Sequence, residues 1–349
     1  TIFSSIKNTL ITFIYKRYGS KMIMRPKIVC LGGGTGQAAI LEGLQQLDVD
    51  ITAIVGVTDN GGYSGLIRQA MDIPQVGDSR SVVSTLAKDG VLKKLLKYRF
   101  TEGNLSGVAL GNLMLAALTR IEGDFGEALQ TMSNLVGVRG RVLPVSNEST
   151  QICAELLDGS KIEGEWEIIK QSKSKVMRLY LKKAVSAAAG VVKALGEADM
   201  IVVCPGSLRT GIIPILLVDG VGLAIAKSKA KKVFVTNVMT HPGQTDHFTT
   251  SMHVDEVKKY GDFVFDYVLV NSGKPSDELL DLYKKDGALP VKIDSVGEGM
   301  VIVDNFVADL DRSQLLELER ASGKDMVAFP HLIRHDSEKV AKILMELVK

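Results

Sequence analysis

The sequence predicts an α/β fold in which a mostly parallel sheet carries helices on both faces. The first observation is a set of short apolar runs, at residues 27–31, 50–57, 199–204 and from 232 onward. Continuous apolar runs of this length are typical of parallel strands that are buried on both sides. The second observation is that segments with helical spacing follow these runs, and such alternation indicates βαβ units.

Composition narrows the class of function. The chain has 349 residues, 46% hydrophobic and 23% charged, which suits one large α/β unit or two smaller domains. A net charge of +2 and an aromatic content of 5% argue against a nucleic-acid-binding protein. The three cysteines, Cys30, Cys153 and Cys204, are too far apart for a zinc motif and odd in number, so we expect a reducing, cytoplasmic environment.

The first 25 residues form a basic extension. They contain lysine and arginine but no acidic residue, and apolar residues recur at helical spacing from Ile2 to Ile14. Such a helix can lie on an anionic membrane or on a partner. The interpretation we favour is a tail that packs on its own domain or stays partly disordered. The apolar stretches are too short to span a bilayer and do not resemble a cleaved signal.

The first strand ends in a glycine-rich loop, Gly32-Gly-Gly-Thr-Gly36, and a helical pattern follows. Glycine allows close approach of a ligand to the backbone, and a helix start offers unpaired N–H groups to an anion. We therefore expect Gly32, Gly33, Gly34, Thr35 and Gly36 to bind phosphate. The alternative is a tight strand-to-helix turn that needs glycine only for its geometry.

The second strand ends in a polar loop, Thr58-Asp-Asn-Gly-Gly-Tyr-Ser-Gly65. Ligands of open α/β sheets bind beyond the carboxyl ends of the strands, where such loops meet. Asp59 and Asn60 are candidates for a ribose hydroxyl, a metal or a base, and Gly61, Gly62 and Ser64 for phosphate. The alternative is ordinary turn chemistry at residues 59–61.

A helix is predicted after Gly77, with Asp78 or Ser79 as its N-cap. Arg80 falls in the first turn, where a cation is disfavoured, so we expect it to serve an anion. Asp59 and Asp78 together are candidate ligands of Mg²⁺, which commonly takes one or two carboxylates plus phosphate oxygens. Asn112, near the start of a later buried helix, either caps that helix or turns its amide to a ligand.

Two further strands run into polar loops. The third candidate anion site follows residue 203 and contains Gly206, Ser207, Arg209 and Thr210. After the next strand, Asn237 and Thr240 are candidates for hydrogen bonds to a base, a sugar or a second substrate. His241 is a possible acid or base, although a histidine beside Pro242 is more often a loop residue.

The middle of the chain changes character. Residues 150–157 and 161–169 are predicted as two strands joined by an Asp-Gly turn at residue 158, and residues 176–181 as a third. This indicates a β-rich, antiparallel insertion at about residues 150–181. A lid, an oligomer contact and a partner surface remain open as its role.

Together these motifs resemble those of the CofD/YvcK-like family over residues 26–349. The matching segments, in order, are Gly32-Gly-Gly-Thr-Gly36, Thr58-Asp-Asn-Gly-Gly62, Gly77-Asp78, Leu110-Gly-Asn-Leu113, Pro205-Gly-Ser-Leu208, Asn237-Val-Met-Thr240 and Arg334-His-Asp336. The resemblance implies one Rossmann-like α/β domain with a small inserted β element, and a homo-oligomer that is a dimer or larger. The extension at residues 1–25 lies outside it.

The resemblance also implies the kind of ligand. The chain is more similar to the gluconeogenesis-factor branch, whose members bind UDP-sugars such as UDP-N-acetylglucosamine and are linked to carbon metabolism, cell shape and cell-wall synthesis. It implies a cytoplasmic nucleotide-sugar-binding regulator with no settled reaction. Three residues depart from the pattern, since Asn60 replaces a common Asp, and His241 and Gln244 replace common Gln and Glu. The first departure weakens the case for Mg²⁺.

Two enzymatic alternatives remain. The CofD branch implies an Mg²⁺-dependent transferase that uses a nucleoside-diphosphate-activated donor, as 2-phospho-L-lactate transferase does. In that case Asp59 and Asp78 would hold the metal and Arg80 would neutralise the phosphates. A nicotinamide-dependent oxidoreductase is the third class, because Gly34-x-Gly36-x-x-Ala39 fits the loose dinucleotide fingerprint, although no hydride-transfer constellation follows.

Overall fold

The computed structural model describes residues 25–171, 176–308 and 332–349, and every structural statement below concerns these residues. The strands are β1 (Lys27–Gly32), β2 (Asp50–Val55), β3 (Arg141–Pro144), β4 (Ile152–Leu156), β5 (Lys161–Glu163), β6 (Val176–Leu181), β7 (Met200–Val203), β8 (Lys231–Val235), β9 (Tyr267–Asn271) and β10 (Met300–Asp304).

The helices of the first half are α1 (Gly34–Leu44), α2 (Gly62–Met71), α3 (Gly77–Leu86), α4 (Val91–Lys97), α5 (Leu110–Glu122), α6 (Phe125–Val136) and α7 (Glu165–Gln171). Those of the second half are α8 (Ala189–Glu197), α9 (Ile213–Leu216), α10 (Val221–Lys227), α11 (Thr250–Gly261), α12 (Asp277–Lys285) and α13 (Ser337–Val348). One turn of π-helix, Leu208–Ile212, leads into α9.

Seven strands form one sheet in the order β10-β9-β8-β7-β1-β2-β3, and every neighbouring pair is parallel. The predicted parallel α/β sheet is therefore confirmed. β1 is an interior strand next to the middle strand β7, with residues 28–31 paired to β7 on one side and residues 27–32 paired to β2 on the other. All the strand ends that precede the predicted polar loops lie at one edge of this sheet.

Alternating side chains of β1 explain why helices cover both faces. Ile28 and Cys30 enter an apolar cluster with α1, α3, α6 and α13. Val29 and Leu31 enter a second cluster with α8, α9, α10 and α11. Because successive strand residues point to opposite faces, a fully apolar strand needs a cover on each side.

The insertion contains a three-stranded antiparallel sheet, in the order β5-β4-β6. The predicted turn and third strand are present, but the prediction that residues 161–169 form one strand is wrong. β5 ends at Glu163, Gly164 takes a φ of 101°, and α7 begins at Glu165. A left-handed glycine stops the strand, and the acidic residues that follow suit the first turn of a helix.

Two other local predictions differ from the structure. The polar loop after β2 is shorter than its composition suggested, because α2 begins at Gly62. The prediction that Asp78 or Ser79 caps α3 is wrong, since the N-cap position is Val76 and the side chain that accepts in the first turn is Gln75, whose Oε1 lies 2.9 Å from the backbone nitrogen of Asp78. By contrast, Asp336 caps α13 as expected, with its carboxylate accepting from the backbone N–H of Lys339 at 3.0 Å.

The predicted amphipathic extension falls outside the described residues except for its last position, so its contacts stay a prediction. In the described part of the chain, no helix combines the length and the apolar character that are needed to cross a membrane.

Candidate functional site

The candidate site lies at the carboxyl edge of four adjacent strands, β8, β7, β1 and β2. From β1 the chain moves through β2 to β3, whereas β7 to β10 extend in the opposite direction. The strand order therefore reverses between β1 and β7, and loops at such a point diverge and leave a crevice. The four polar loops predicted from the sequence all follow these four strands, so the fold brings them together.

The loops after β1 and β7 touch at backbone distance. A Cβ atom on Gly36 would lie 2.0 Å from the carbonyl oxygen of Pro205, and one on Gly33 would lie 2.3 Å from Oδ2 of Asp78. Gly34 opens α1 with a φ of +59°, and its N–H donates to the carboxyl of Asp78, while the N-cap residue Gly33 has no side chain. Close packing thus requires glycine here, and the N–H groups of α1 that follow Gly34 lie near the crevice.

Asn237, after β8, holds the loop after β7. Its Oδ1 accepts from the backbone N–H of Gly206 at 2.9 Å, and its Nδ2 donates to the carbonyl oxygen of Gly206 at 2.8 Å. These two hydrogen bonds occupy the oxygen and the nitrogen of the side-chain amide, the two atoms that were expected to meet a ligand. Asn237 therefore acts on the crevice by fixing the position of Gly206.

Asp78 lies between the glycine loop and the start of α3. Burial first, and then the negative charge of Asp59, raise the pKa of its carboxyl to about 7, against the opposite effects of Arg80 and the N–H of Gly34. The carboxyl groups of Asp59 and Asp78 thus lie in one enclosed region, and the positive charge nearby does not fully offset their negative charge. Such a pair favours a proton or a cation.

Arg80 is oriented by two neighbouring side chains. Its Nε donates to Oδ1 of Asn112 at 3.3 Å, and Nδ2 of Asn112 donates to Oγ of Ser64 at 3.0 Å. Burial first, and then the charge of Arg99, lower the pKa of Arg80 to about 10. The chain from Ser64 through Asn112 to Arg80 therefore ties the N-terminal turns of α2, α3 and α5 together around a cation.

The insertion helix α7 closes over the loops. Oδ1 of Asn60 accepts from the backbone N–H of Trp166 at 3.1 Å, and Nδ2 of Asn60 donates to Oε2 of Glu167 at 3.0 Å. On the other side, a Cβ atom on Gly243 would lie 2.3 Å from the carbonyl oxygen of Ile169. The insertion is thus attached to the loops after β2 and β8, as a lid would be.

Glu165, at the first position of α7, meets the crevice. Burial and then the charge of Asp59 raise the pKa of its carboxyl well above the ordinary value. The Thr210 hydroxyl lies 2.7 Å from Oε1 of Glu165 and 3.2 Å from Oε1 of Gln244. The bond from the Thr210 hydroxyl lowers the pKa of Glu165, whereas a side-chain hydrogen bond with Asp59 raises it, because that bond holds a proton between the two carboxyl groups.

Gln244 connects this network to His241. Its Oε1 accepts from the backbone N–H of Arg209 at 3.2 Å, and its Nε2 lies 3.0 Å from Nδ1 of His241. An amide nitrogen can only donate, so Nδ1 accepts and the imidazole proton sits on Nε2 in this assignment. Oγ of Ser207 lies 3.5 Å from the same Nδ1, which places one more hydroxyl at the edge of the network.

Comparison with known proteins decides the family. The family model described as 2-phospho-L-lactate transferase CofD matches residues 28–307. The chain belongs to the CofD family. It is similar to the putative gluconeogenesis factor of Thermotoga maritima (41% identity, covering 91% of this chain and 98% of that protein) and to the gluconeogenesis factor of Bacillus subtilis (39% identity, 94% and 100%).

A solved structure supports the same assignment. A crystal structure of a UPF0052-family protein from Bacillus halodurans is 37% identical, with a TM-score of 0.83, and the match covers 92% of this chain and 99% of that chain. The resemblance predicted from the motifs is therefore confirmed, as is the α/β fold. Within the CofD family the chain groups with proteins named gluconeogenesis factor.

Not every predicted residue of this CofD-family chain is free to meet a ligand. Arg209 forms an ion pair with Glu256 of α11, with Nε 3.1 Å from Oε1, and its guanidinium lies over the ring of Phe248. Thr240 pairs with Leu289, donating its N–H to the carbonyl at 2.7 Å and accepting at Oγ1 at 2.9 Å. Their observed contacts are internal, and ligand binding by either stays a prediction.

The predicted magnesium ligands remain a hypothesis with a defined geometry. Oδ1 of Asp59 accepts from the backbone N–H of Gly61 at 2.7 Å. The negative charge of Asp59 raises the pKa of both Asp78 and Glu165. In residues 25–171, 176–308 and 332–349, no three His, Cys, Asp or Glu side chains are arranged to hold a metal ion by themselves. A metal at Asp59 and Asp78 would therefore depend on oxygen atoms of a bound phosphate.

Sequence reasoning missed three residues that shape the site. Glu165 falls within residues 161–169, which were predicted as a strand, and neither Glu165 nor Arg99 belongs to a motif described above. Arg68, which is buried, donates from Nη1 to the carbonyl oxygens of Thr58 and Asp59 and from Nη2 to that of Thr150.

Proposed function

We propose that this protein is a nucleotide-sugar-binding regulatory protein of the gluconeogenesis-factor type. Its ligand would be UDP-N-acetylglucosamine or UDP-glucose, and its role would lie in carbon metabolism, cell shape and cell-wall synthesis. The observation that carries the proposal is the contact of the two glycine loops at the point where the strand order reverses, with Gly36 against Pro205. A diphosphate is the ligand that a glycine-rich strand-to-helix connection at such a point suits best.

The surrounding side chains support a ligand with many hydroxyl groups. Asp59, Glu165 and Ser207 lie beside the loops at this edge of the sheet, with the buried Thr210 bonded to Glu165, and the two carboxyl groups lack a cationic partner within ion-pair distance in the described residues. Carboxyl oxygens accept and hydroxyls both donate and accept, which matches the alternating groups of a sugar. The lid helix α7 carries Glu165, so sugar binding and lid position would be linked.

Calorimetric titration of the purified protein tests this proposal. We expect UDP-N-acetylglucosamine or UDP-glucose to bind without Mg²⁺ and to raise the melting temperature, because a ligand of the native state alone stabilises it. Asn237→Ala frees Gly206 from its two hydrogen bonds and should weaken binding by about tenfold, the effect of losing roughly 1.4 kcal/mol. Asn134→Ala, which breaks an exposed side-chain bond to Gln130 on α6, is the matched control and should leave binding unchanged.

A second candidate function is an Mg²⁺-dependent transferase of the CofD type with a nucleoside-diphosphate-activated donor. The raised pKa of Asp78, caused by burial and by Asp59, favours it because a divalent cation relieves repulsion between carboxylates. Asp59 and Asp78 would hold the ion, which would neutralise the diphosphate, and Arg80 would add a fixed positive charge.

The same titration separates these functions. Binding of GDP that requires Mg²⁺, with no response to UDP-sugars, would contradict the regulator and support the transferase. Tight binding of NAD alone would contradict both and favour the oxidoreductase.

A further inference from the structure

Arg80 and Arg99 lie against the same stretch of chain beside the crevice, because Arg80 packs on Gly111 and the backbone of Arg99 bridges to Ala109. The charge of Arg99 lowers the pKa of Arg80, and burial lowers the pKa of both guanidinium groups. In the described ranges neither arginine has a carboxylate within ion-pair distance, and only Asp78 offsets the charge of Arg80. An enclosed cation pair without counter-charge is costly unless an anion joins it.

Arg80 is held along one edge and leaves the other edge available. Its Nε bond to Asn112 fixes the plane of the guanidinium, while its two terminal nitrogens have no hydrogen-bond partner among the described residues. A planar fork with two available N–H donors matches two oxygens of a carboxylate or phosphate.

Arg99 is fixed by a hairpin-like segment at residues 98–110. Its Nη1 donates to the carbonyl oxygen of Gly107 at 2.8 Å, and its backbone bridges to Ala109. The ring of Tyr63 packs on Gly107, where an added Cβ atom would lie 2.6 Å from Cε2. The segment therefore packs against the start of α2, and the side chain of Arg99 is held in place by its bond to Gly107.

Three helix N-termini converge on the same place. A Cβ atom on Gly77, at the start of α3, would lie 2.5 Å from Oγ of Ser64 in α2, and one on Gly111 in α5 would lie 2.7 Å from Cγ of Arg80. The N-cap residues of these helices, Gly61, Val76 and Ala109, make no side-chain cap, and in α3 the side chain of Gln75 accepts from the N–H of Asp78 at 2.9 Å. Their partial positive charges add to those of the two guanidinium groups.

Asp78 separates this place from the glycine loops. Its carboxyl lies against Gly33, accepts from the N–H of Gly34, and belongs to the same turn of α3 as Arg80. One phosphate bound on both sides of Asp78 would have to displace or surround a carboxyl group. Two separate oxyanions, one on each side, fit the charges better.

We propose that Arg80 and Arg99 form a second oxyanion subsite, bounded by residues 98–110 and the N-termini of α2, α3 and α5. It takes a phosphoryl group that is not part of the diphosphate on the glycine loops, so a phosphorylated small molecule or inorganic phosphate binds beside the nucleotide. The subsite does not require the ligand of the glycine loops to be a nucleotide sugar.

Inorganic phosphate is the probe. Thermal shift and calorimetry are run in a phosphate-free buffer, with chloride at matched ionic strength as the salt control. We expect phosphate to stabilise the wild-type protein, and Arg99→Gln to weaken phosphate binding by about tenfold or more, as expected for a lost charge-assisted hydrogen bond. Lys94→Gln, which removes an exposed positive charge from nearby α4, should change nothing.

The decisive arm repeats the phosphate titration with UDP-N-acetylglucosamine at saturation. Persistent phosphate binding, with Arg99→Gln leaving the affinity for the sugar nucleotide within about twofold, supports a separate subsite. Loss of phosphate binding under saturation, or equal weakening of both ligands by Arg99→Gln, would show that the arginines belong to the nucleotide site and overturn the proposal. Absence of phosphate-specific stabilisation would overturn it as well.

These outcomes stay separate from the proposed function. If UDP-sugars do not bind but phosphate does, the nucleotide-sugar proposal fails and the subsite stands. Arg99→Lys keeps the charge, loses the planar fork and should bind phosphate with intermediate strength. The unliganded Arg99→Gln protein loses the hydrogen bond to the Gly107 carbonyl but also one of two repelling cations, so its melting temperature should stay close to that of wild type. A large fall would indicate a structural role for Arg99 and overturn the proposal.

Discussion

Replacing Gly36 by alanine tests the contact on which the proposed crevice depends. The new Cβ atom would lie 2.0 Å from the carbonyl oxygen of Pro205 and 2.7 Å from its carbonyl carbon. Both are backbone atoms, so the loop after β7 must move by about an ångström, and overpacking of this kind typically costs about 1–3 kcal/mol. The better helix propensity of alanine in α1 returns about 0.5–1 kcal/mol. The free energy of unfolding should therefore fall by roughly 1–2 kcal/mol.

Gly196→Ala is the matched control. Gly196 also lies in a helix, α8, but a Cβ atom there would have no neighbour within 4 Å. The same chemical change should therefore stabilise the protein by about 0.5 kcal/mol. Urea unfolding measures both free energies, and calorimetry measures whether Gly36→Ala also weakens binding of UDP-N-acetylglucosamine. Equal stabilisation by both substitutions would refute the contact between the two loops.

Two further predictions concern charges near the crevice. Asp78 has a pKa of about 7 in the folded protein against 3.8 ordinarily, so it keeps a proton that the unfolded chain has lost between these pH values. The free energy of unfolding should accordingly fall as pH rises from about 4 to 7, by at most on the order of 4 kcal/mol. Asp78→Asn should reduce this fall. A variant whose melting temperature depends on pH in the same way as that of the wild type would contradict the prediction. Arg209→Met leaves Glu256 without its partner and should cost roughly 3 kcal/mol in urea unfolding. Arg209→Met combined with Glu256→Gln should recover most of that loss, and a single substitution costing under about 1 kcal/mol would show that the ion pair is not the main contribution of Arg209.

The parallel sheet was predictable because its signal is local. β1, β2, β7 and β8 are continuous apolar runs, and each is followed by glycine or small polar residues. The end of β5 and the start of α7 were not predictable in the same way. The alternating pattern of residues 161–169 favours a strand, but Gly164 has a left-handed backbone, which ends the strand. The hydrogen bonds between Asn60 and α7 also favour the helix, and Asn60 lies about a hundred positions away in the sequence.

The candidate site followed the same division. Loop positions such as Gly36 and Gly206 could be placed from the sequence, because strand order decides where loops go. The partners of individual side chains could not. Arg209 was predicted to bind an anion, but the fold places Glu256 beside it. The two hydrogen bonds between Asn237 and Gly206 depend on β7 and β8, which become neighbours only in the folded sheet.

The position of β1 between β2 and β7 has a consequence for synthesis of the chain. One neighbour of β1, β2, follows closely in sequence, whereas the other, β7, begins 168 residues after β1 ends, from Gly32 to Met200. At about 5–20 residues per second, the ribosome needs roughly 10–30 s to deliver β7. During that interval one edge of a strongly apolar strand has no partner within the chain. Nascent chains of this protein are therefore exposed to mispairing with one another, and crowded polysomes or loss of a trigger-type chaperone should reduce yield more than they reduce the stability of the finished fold.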